Sequence, residues 1–198
     1  MQSTLAMQAM IRPSTVEGAL DALAQPGAAA VAGASWVMRA ALRHEAVPPV
    51  WVVLGGIDEM HAVTPTSDGL RIGALVTHER LAAMLVDAPD LRALAQAAGQ
   101  SANPGVRRIA TLGGNLCATG FASADLVVAL LALDARIEVA TPDGRQLLDM
   151  PAFLAQRGTA GASLVTAAIL PRGAQCSAHR RLMIRRAGDY PVALLSIS

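Results

Sequence analysis

The sequence predicts an α+β chain folded as two unlike lobes, and three observations carry that prediction. Short apolar runs alternate with helical spacing through the first quarter of the chain, as in a β-α-β-α-β unit. Further on, Thr141-Pro142-Asp143-Gly144 separates two strand-like runs, the mark of a hairpin. Charged or turn residues also interrupt every apolar run well short of the roughly 18 positions a membrane span needs. Residues 1–54 are expected to form the first lobe and 55–175 the second, with 176–198 a stretch that looks unfinished.

In the first lobe, residues 10–11 read as a short strand and Pro13-Ser14-Thr15 as a helix start with a hydroxyl N-cap. Val16, Leu20 and Leu23 then recur at helical spacing, and Gln25-Pro26-Gly27 ends that helix. Residues 28–32 form a small-residue strand, 36–43 a helical stretch and 50–54 an apolar strand.

Gly55-Gly56 reads as a turn opening the second lobe, and residues 64–69 are dense in turn formers. A strand is expected over 70–75. Thr77 can cap a helix beginning near His78, with Glu79 favourably placed in its first turn. A second helix covers 91–100, and Asn103-Pro104-Gly105 follows it. Ser123 or Asp125 starts an apolar helix that ends at Leu133. The hairpin strands are 136–140 and 145–148, residues 151–157 make a short helix with Asp149 near its start, and 164–170 is a strand ended by Pro171. A strand over 180–184 and the start of another element over 190–197 complete the chain. Because the sequence stops inside the apolar run 192–197, the expectation is a truncated chain or an element that pairs with another subunit.

Composition narrows the function. Apolar residues make up 53% and charged residues 16% of the chain, which describes a globular protein. A net charge of +1 without a long basic stripe argues against nucleic acid as the main partner. The local cluster of Arg180, Arg181, Arg185 and Arg186 reads as a solvated strand or turn. Two distant cysteines, Cys117 and Cys176, supply neither a disulfide framework nor a metal or iron–sulfur site. His44, His61, His78 and His179 are scattered, and each reads as a surface or capping residue. With no basic segment followed by an apolar one at the N-terminus, the expected compartment is the cytoplasm.

Two glycine-bearing stretches carry the chemistry. Val31-Ala32-Gly33-Ala34-Ser35 lies between a strand and a helix, where small side chains admit a ligand to the backbone and unpaired N–H groups favour an anion. The alternative is a plain turn. In Thr111-Leu112-Gly113-Gly114-Asn115, paired glycines permit positive φ angles and an amide nest for an anion, with a structural turn as the alternative. Cys117 reads as a small buried thiol rather than a nucleophile.

Taken in order, Ile11-Arg12-Pro13, the stretch from Val31 to Ser35, Arg71-Ile72-Gly73-Ala74, Ala110 with the stretch from Thr111 to Asn115, and Asp125 followed by Ala132-Leu133-Asp134-Ala135 resemble the FAD-binding medium subunit of molybdenum hydroxylases. This is the xanthine dehydrogenase and carbon monoxide dehydrogenase family, and the likeness spans residues 11–190. It implies a two-lobed FAD-binding domain of the PCMH/vanillyl-alcohol-oxidase type, with FAD between the lobes, followed over 176–198 by the beginning of a C-terminal α+β domain. The resemblance assigns pyrophosphate and ribityl chain to Ala30, Val31, Ala32, Gly33, Ala34, Ser35, Trp36 and Val37, and to Thr111, Leu112, Gly113, Gly114 and Asn115. Ser101 or Ala102 falls where the family approaches the flavin, and Val165 where an apolar residue lies near it. Asp125 matches an acidic FAD contact. The preceding loop is one residue longer than usual, with Phe121 in place of a common proline, so Ser123 and Ala124 compete for that role. Ala34 stands where a second glycine is common, and Arg181 or Leu182 replaces a frequent lysine.

The function so implied is electron transfer. Electrons would come from a molybdenum cofactor on a large subunit, through 2Fe–2S clusters on a small subunit, to FAD here, and then to NAD, oxygen or another acceptor. The assembly would be a dimer of heterotrimers, with no catalytic acid, base, nucleophile or metal ligand on this chain. The rival expectations are a self-contained FAD oxidase and a flavin-free assembly subunit.

Overall fold

The computed structural model describes residues 9–158, 161–173, 176–185 and 190–198; Arg186 of the basic cluster lies outside the described residues. The first sheet is parallel and three-stranded, built from β1 (Ala9–Ile11), β2 (Ala28–Val31) and β3 (Val50–Val53) in the order β1-β3-β2. Between β1 and β2 runs α1 (Val16–Leu23), started by the Thr15 hydroxyl, which accepts from the Gly18 amide at 3.1 Å. Its buried face is Val16, Ala19, Leu20 and Ala22. The helical stretch expected over 36–43 forms as a tighter 3₁₀ segment, Val37–Arg43.

The second sheet is antiparallel and five-stranded, with β4 (Val63–Thr66), β5 (Gly69–Gly73), β6 (Arg136–Thr141), β7 (Gly144–Asp149) and β8 (Leu164–Pro171) in the order β4-β5-β8-β6-β7. Here the expectation of a turn throughout 64–69 is corrected. Thr64 and Thr66 belong to β4, Thr66 pairs with Gly69, and only Ser67 and Asp68 turn. Pro65 is tolerated because β4 is an edge strand. The predicted hairpin forms with Thr141 opposite Gly144. Glu138 fastens three strands, accepting from Arg71 Nη2 at 2.7 Å and from Thr166 Oγ1 at 2.5 Å. Burial opposes its ionisation, but those hydrogen bonds outweigh burial and hold its carboxyl below the ordinary range.

The helices α2 (His78–Met84), α3 (Arg92–Gln100), α4 (Pro104–Arg107), α5 (Leu112–Cys117), α6 (Asp125–Ala132) and α7 (Met150–Gln156) complete the body. The segment from Asn103 to Gly105 starts a short helix, since Asn103 Oδ1 accepts from Val106 N at 3.0 Å and caps α4. Buried Ala93, Ala95, Ala97 and Ala98 make α3 a slim helix that α2 and α6 approach closely. Two last strands, β9 (Ala178–Leu182) and β10 (Ala193–Ile197), pair antiparallel and rest on α3 and α6. Gln96 Oε1 accepts from His179 N at 2.8 Å, and Ser177 Oγ accepts from Ala93 N at 2.8 Å. β9 begins two residues before the expected strand. Both large sheets share one continuous core that includes Val16, Val52, Ile72, Leu94, Leu130, Ile137 and Leu170. Among the described residues, no helix is long and apolar enough to cross a membrane.

Candidate functional site

The two glycine stretches meet through the backbone. A Cβ at Gly33 would stand 1.7 Å from the carbonyl oxygen of Ile109, so residue 33 must be glycine for the turn after β2 to lie on the chain entering α5. Ala34 follows with φ 58°, the left-handed region that side chains adopt at a cost. This conformation gives a physical reason for a glycine at that place. The amides of Gly33, Ala34, Ser35 and Trp36 have no acceptor among the described residues.

The second stretch behaves differently from the expectation. Gly113 and Gly114 have no positive φ; they lie inside α5. Their neighbours explain them: a Cβ at Gly113 would come within 2.8 Å of the Ala74 Cβ, and one at Gly114 within 2.9 Å of the Thr111 hydroxyl. The amides of this stretch are also occupied. Leu112 N donates to Val76 O at 2.9 Å, Gly113 N to Ala74 O at 2.8 Å, Gly114 N to Thr111 Oγ1 at 3.1 Å and Asn115 N to Thr111 O at 3.0 Å. No anion nest exists here. The free amides are those of the first stretch.

A cavity of about 900 Å³ opens between the stretches. Ala30, Val31, Ala32, Gly33, Ala34, Ser35, Trp36 and Val37 line one side, and Ser101, Ala102, Thr111, Gly114, Asn115 and Arg181 line others. The remaining candidates lie off its wall. Leu112 and Gly113 are buried in the first turn of α5, and Val165 is buried in β8. Ser123, Ala124 and Asp125 are all buried and none of them lines the cavity. Leu182 is 62% exposed, which leaves Arg181 as the basic residue at the site.

Asp125 reaches the cavity through Arg181. Its carboxylate is fully buried at the first position of α6, with Oδ1 3.0 Å from Arg181 Nε and 3.3 Å from His179 Nε2. His179 Nδ1 lies 2.8 Å from Ser196 Oγ on β10, and Arg181 Nη1 donates to the Gln100 carbonyl. The histidines at 78 and 179 are thus buried, which corrects the surface alternative of the expected surface or capping role, and each has a hydroxyl partner from a distant segment. His78 Nδ1 is 2.7 Å from Ser101 Oγ, and burial pushes the imidazole pKa down to about 4. Cys117 is not a buried thiol: its side chain opens onto the cavity. The dense protein around it still disfavours the thiolate and raises its pKa to about 11, so it is no nucleophile.

At one end of the cavity Trp36, an expected site residue, meets side chains that were not expected at the site. Trp36 packs on Phe121 with ring centroids 4.7 Å apart, Phe121 meets Tyr190 edge-on at 5.7 Å, and Arg39 Nη1 donates to the Tyr190 hydroxyl at 2.8 Å. Arg43 stacks 3.9 Å above Trp36 and is neutralised by Glu45. These residues come from three separate segments, so no local motif could have announced them. Among the described residues, no group of three or more His, Cys, Asp or Glu could hold a metal ion.

Comparison with known proteins fits this geometry. A family model described as the FAD binding domain in molybdopterin dehydrogenase matches residues 5–173. The chain is 33% identical over 144 residues to the xanthine dehydrogenase FAD-binding subunit of Escherichia coli O157:H7, covering 72% of this chain and 49% of that one. It therefore spans about half the length of that relative. It is 26% identical over 189 residues to the nicotine 6-hydroxylase medium subunit of Paenarthrobacter nicotinovorans, covering 93% of this chain and 66% of the relative. A crystal structure of a Cu,Mo-CO dehydrogenase shares the fold with a TM-score of 0.85 at 23% identity, over 96% of this chain and 68% of that one.

Two outcomes follow for stability. Ala34→Gly relieves the left-handed strain and should raise unfolding free energy by about 1 kcal/mol, whereas Gly33→Ala drives a Cβ into a carbonyl and should cost several kcal/mol; denaturant titration reads both. His78 has a lowered pKa in the folded chain, so between pH 6.5 and about 4 the unfolded chain takes up a proton that the folded one refuses. Stability should fall as pH falls through that window, by roughly 2 kcal/mol from neutral pH to pH 5. Titrations of His78→Gln at the same two pH values should lack that increment.

Proposed function

We propose that this chain, which belongs to the family of FAD binding domains in molybdopterin dehydrogenases, holds FAD in the cavity between its glycine stretches and serves a molybdenum hydroxylase as its electron-transfer subunit. The observation that carries the placement is the run of open amides from Gly33 to Trp36 on the cavity wall. Consecutive backbone donors beside a left-handed residue suit a pyrophosphate. Arg39, on the same wall, has no carboxylate partner among the described residues and adds positive charge. The buried Asn115 Oδ1, which has no hydrogen-bond partner among the described residues, and the Arg181 guanidinium aimed by Asp125 complete a polar lining that fits a dinucleotide.

Bound FAD would supply reversible uptake of electrons. This chain's contribution is to bind, orient and shield. The amides of Gly33 to Trp36 take the phosphates, and the aromatic closure of Trp36, Phe121 and Tyr190 limits solvent at one end. Asp125 and His179 fix the cation that faces the cofactor. His78 stays neutral and Cys117 protonated at physiological pH, so neither donates charge to the site.

The electron donors proposed are 2Fe–2S clusters on a small partner subunit, fed by a molybdenum cofactor on a large one, in a cytoplasmic dimer of heterotrimers. NAD, oxygen or another acceptor would take the electrons onward. Residues 176–198 are proposed as the beginning of a further domain, after FAD-binding lobes at 1–54 and 55–175. The printed names of the relatives, an FAD-binding subunit and a medium subunit, support a chain that works within a larger complex.

Gly114 faces the cavity and is exposed there, so Gly114→Asp places a carboxylate in the space proposed for the dinucleotide. The variant should purify without flavin absorbance while its thermal unfolding shows an intact fold. Retention of a full complement of FAD would overturn the placement.

A further inference from the structure

His78 is unexplained by electron transfer and by the fold. It is 3% exposed, follows the capping residue Thr77, and lines the cavity beside Thr111, to which Thr77 is bridged. Its Nδ1 is satisfied by the Ser101 hydroxyl, which itself donates to the Ala98 carbonyl at 3.0 Å. Its Nε2 is buried and makes no hydrogen bond among the described residues. The Thr111 backbone is near enough to oppose the effect of burial without meeting the geometry of a bond. An orphaned ring nitrogen in a neutral imidazole is costly unless something completes it.

We propose that His78 is a cofactor-contacting residue whose Nε2 accepts a hydrogen bond from a hydroxyl of the bound dinucleotide. Because the Ser101 hydroxyl gives its proton to the Ala98 carbonyl, Nδ1 carries the imidazole hydrogen and donates to Ser101 Oγ, which leaves Nε2 as an acceptor for a ligand hydroxyl. The buried Asn115 Oδ1, likewise without a partner on the same cavity, is a second acceptor for such a chain of hydroxyls. Ser101 acts here as a positioning residue: it locks the imidazole rotation through Nδ1 and is itself locked to the end of α3. This inference rests on the cavity holding FAD. Two parts of FAD carry the required group, the ribityl chain and the ribose of its adenosine half, and the test separates them.

The full chain, labelled with ¹⁵N-histidine, is titrated with FAD and, separately, with ADP, while the His78 Nε2 resonance is followed. A shift with FAD but not with ADP assigns the ribityl chain, and a shift with both assigns the ribose; either supports the contact. An unmoved resonance under saturating FAD overturns it. In parallel, His78→Phe should raise the FAD dissociation constant about tenfold, the scale of one hydrogen bond, with His78→Gln recovering much of the loss. Equal FAD affinity in the unaltered chain and the Phe variant would also overturn it. Absence of FAD binding by the unaltered chain would instead overturn the cofactor reading itself, so the two failures are distinct.

Discussion

Everything at the site depends on a contact between two stretches of main chain, Gly33 against the carbonyl of Ile109. No side chain fits there, so the turn leaving the parallel sheet lies directly on the segment that becomes α5. A second close approach, Gly113 against Ala74, seats α5 on the strand end below it. The bridge between Thr77 and Thr111, with His78 N donating to Ala110 O at 2.9 Å, closes the third side. The cavity is thus framed by backbone contacts between segments far apart in sequence. Rotamer changes leave such a frame in place, which suits a cofactor that must be held rather than reshaped.

The frame divides the polar work between the two stretches. In α5 every N-terminal amide is consumed by the fold, so this stretch gives shape and the side chain of Asn115. In residues 33–36 the amides are open, and the positive φ of Ala34 is the strain that keeps them so. The charge on Arg181 is delivered from β9 and aimed by a carboxylate that never reaches the wall. That carboxylate in turn depends on His179, and through Ser196 on β10. The last two strands therefore join the site's electrostatics as well as its packing.

Much of the fold was legible because its signals are local. Thr15, Thr77 and Asp149 cap the helices they were expected to cap, and the turn at 141–144 closes the hairpin where its residues require. Local signals misled where a neighbour decided the outcome. Residues 64–66 look like turn and become strand because β5 offers them an edge. Gly113 and Gly114 look like a nest and form no nest because the Ala74 carbonyl and the Thr111 hydroxyl take their amides at the start of α5. His78 and His179 look like surface residues because their partners, Ser101 and Ser196, stand 23 and 17 positions away. Of the residues that line the cavity, those at 30–37, Ser101, Ala102, Thr111, Gly114, Asn115 and Arg181 were already expected from the sequence. Arg39, Phe121, Tyr190 and the burial of Asp125 are products of tertiary assembly.

A structure of the chain with FAD bound tests the central claim most directly, namely that one cavity, framed by Gly33 on Ile109, receives the dinucleotide. The account predicts pyrophosphate oxygens within hydrogen-bonding distance of the amides of Gly33 to Trp36, with the rest of the cofactor running along Ser101, Thr111 and Asn115. FAD seated outside this cavity, or phosphates bound with those amides still unpaired, would contradict it.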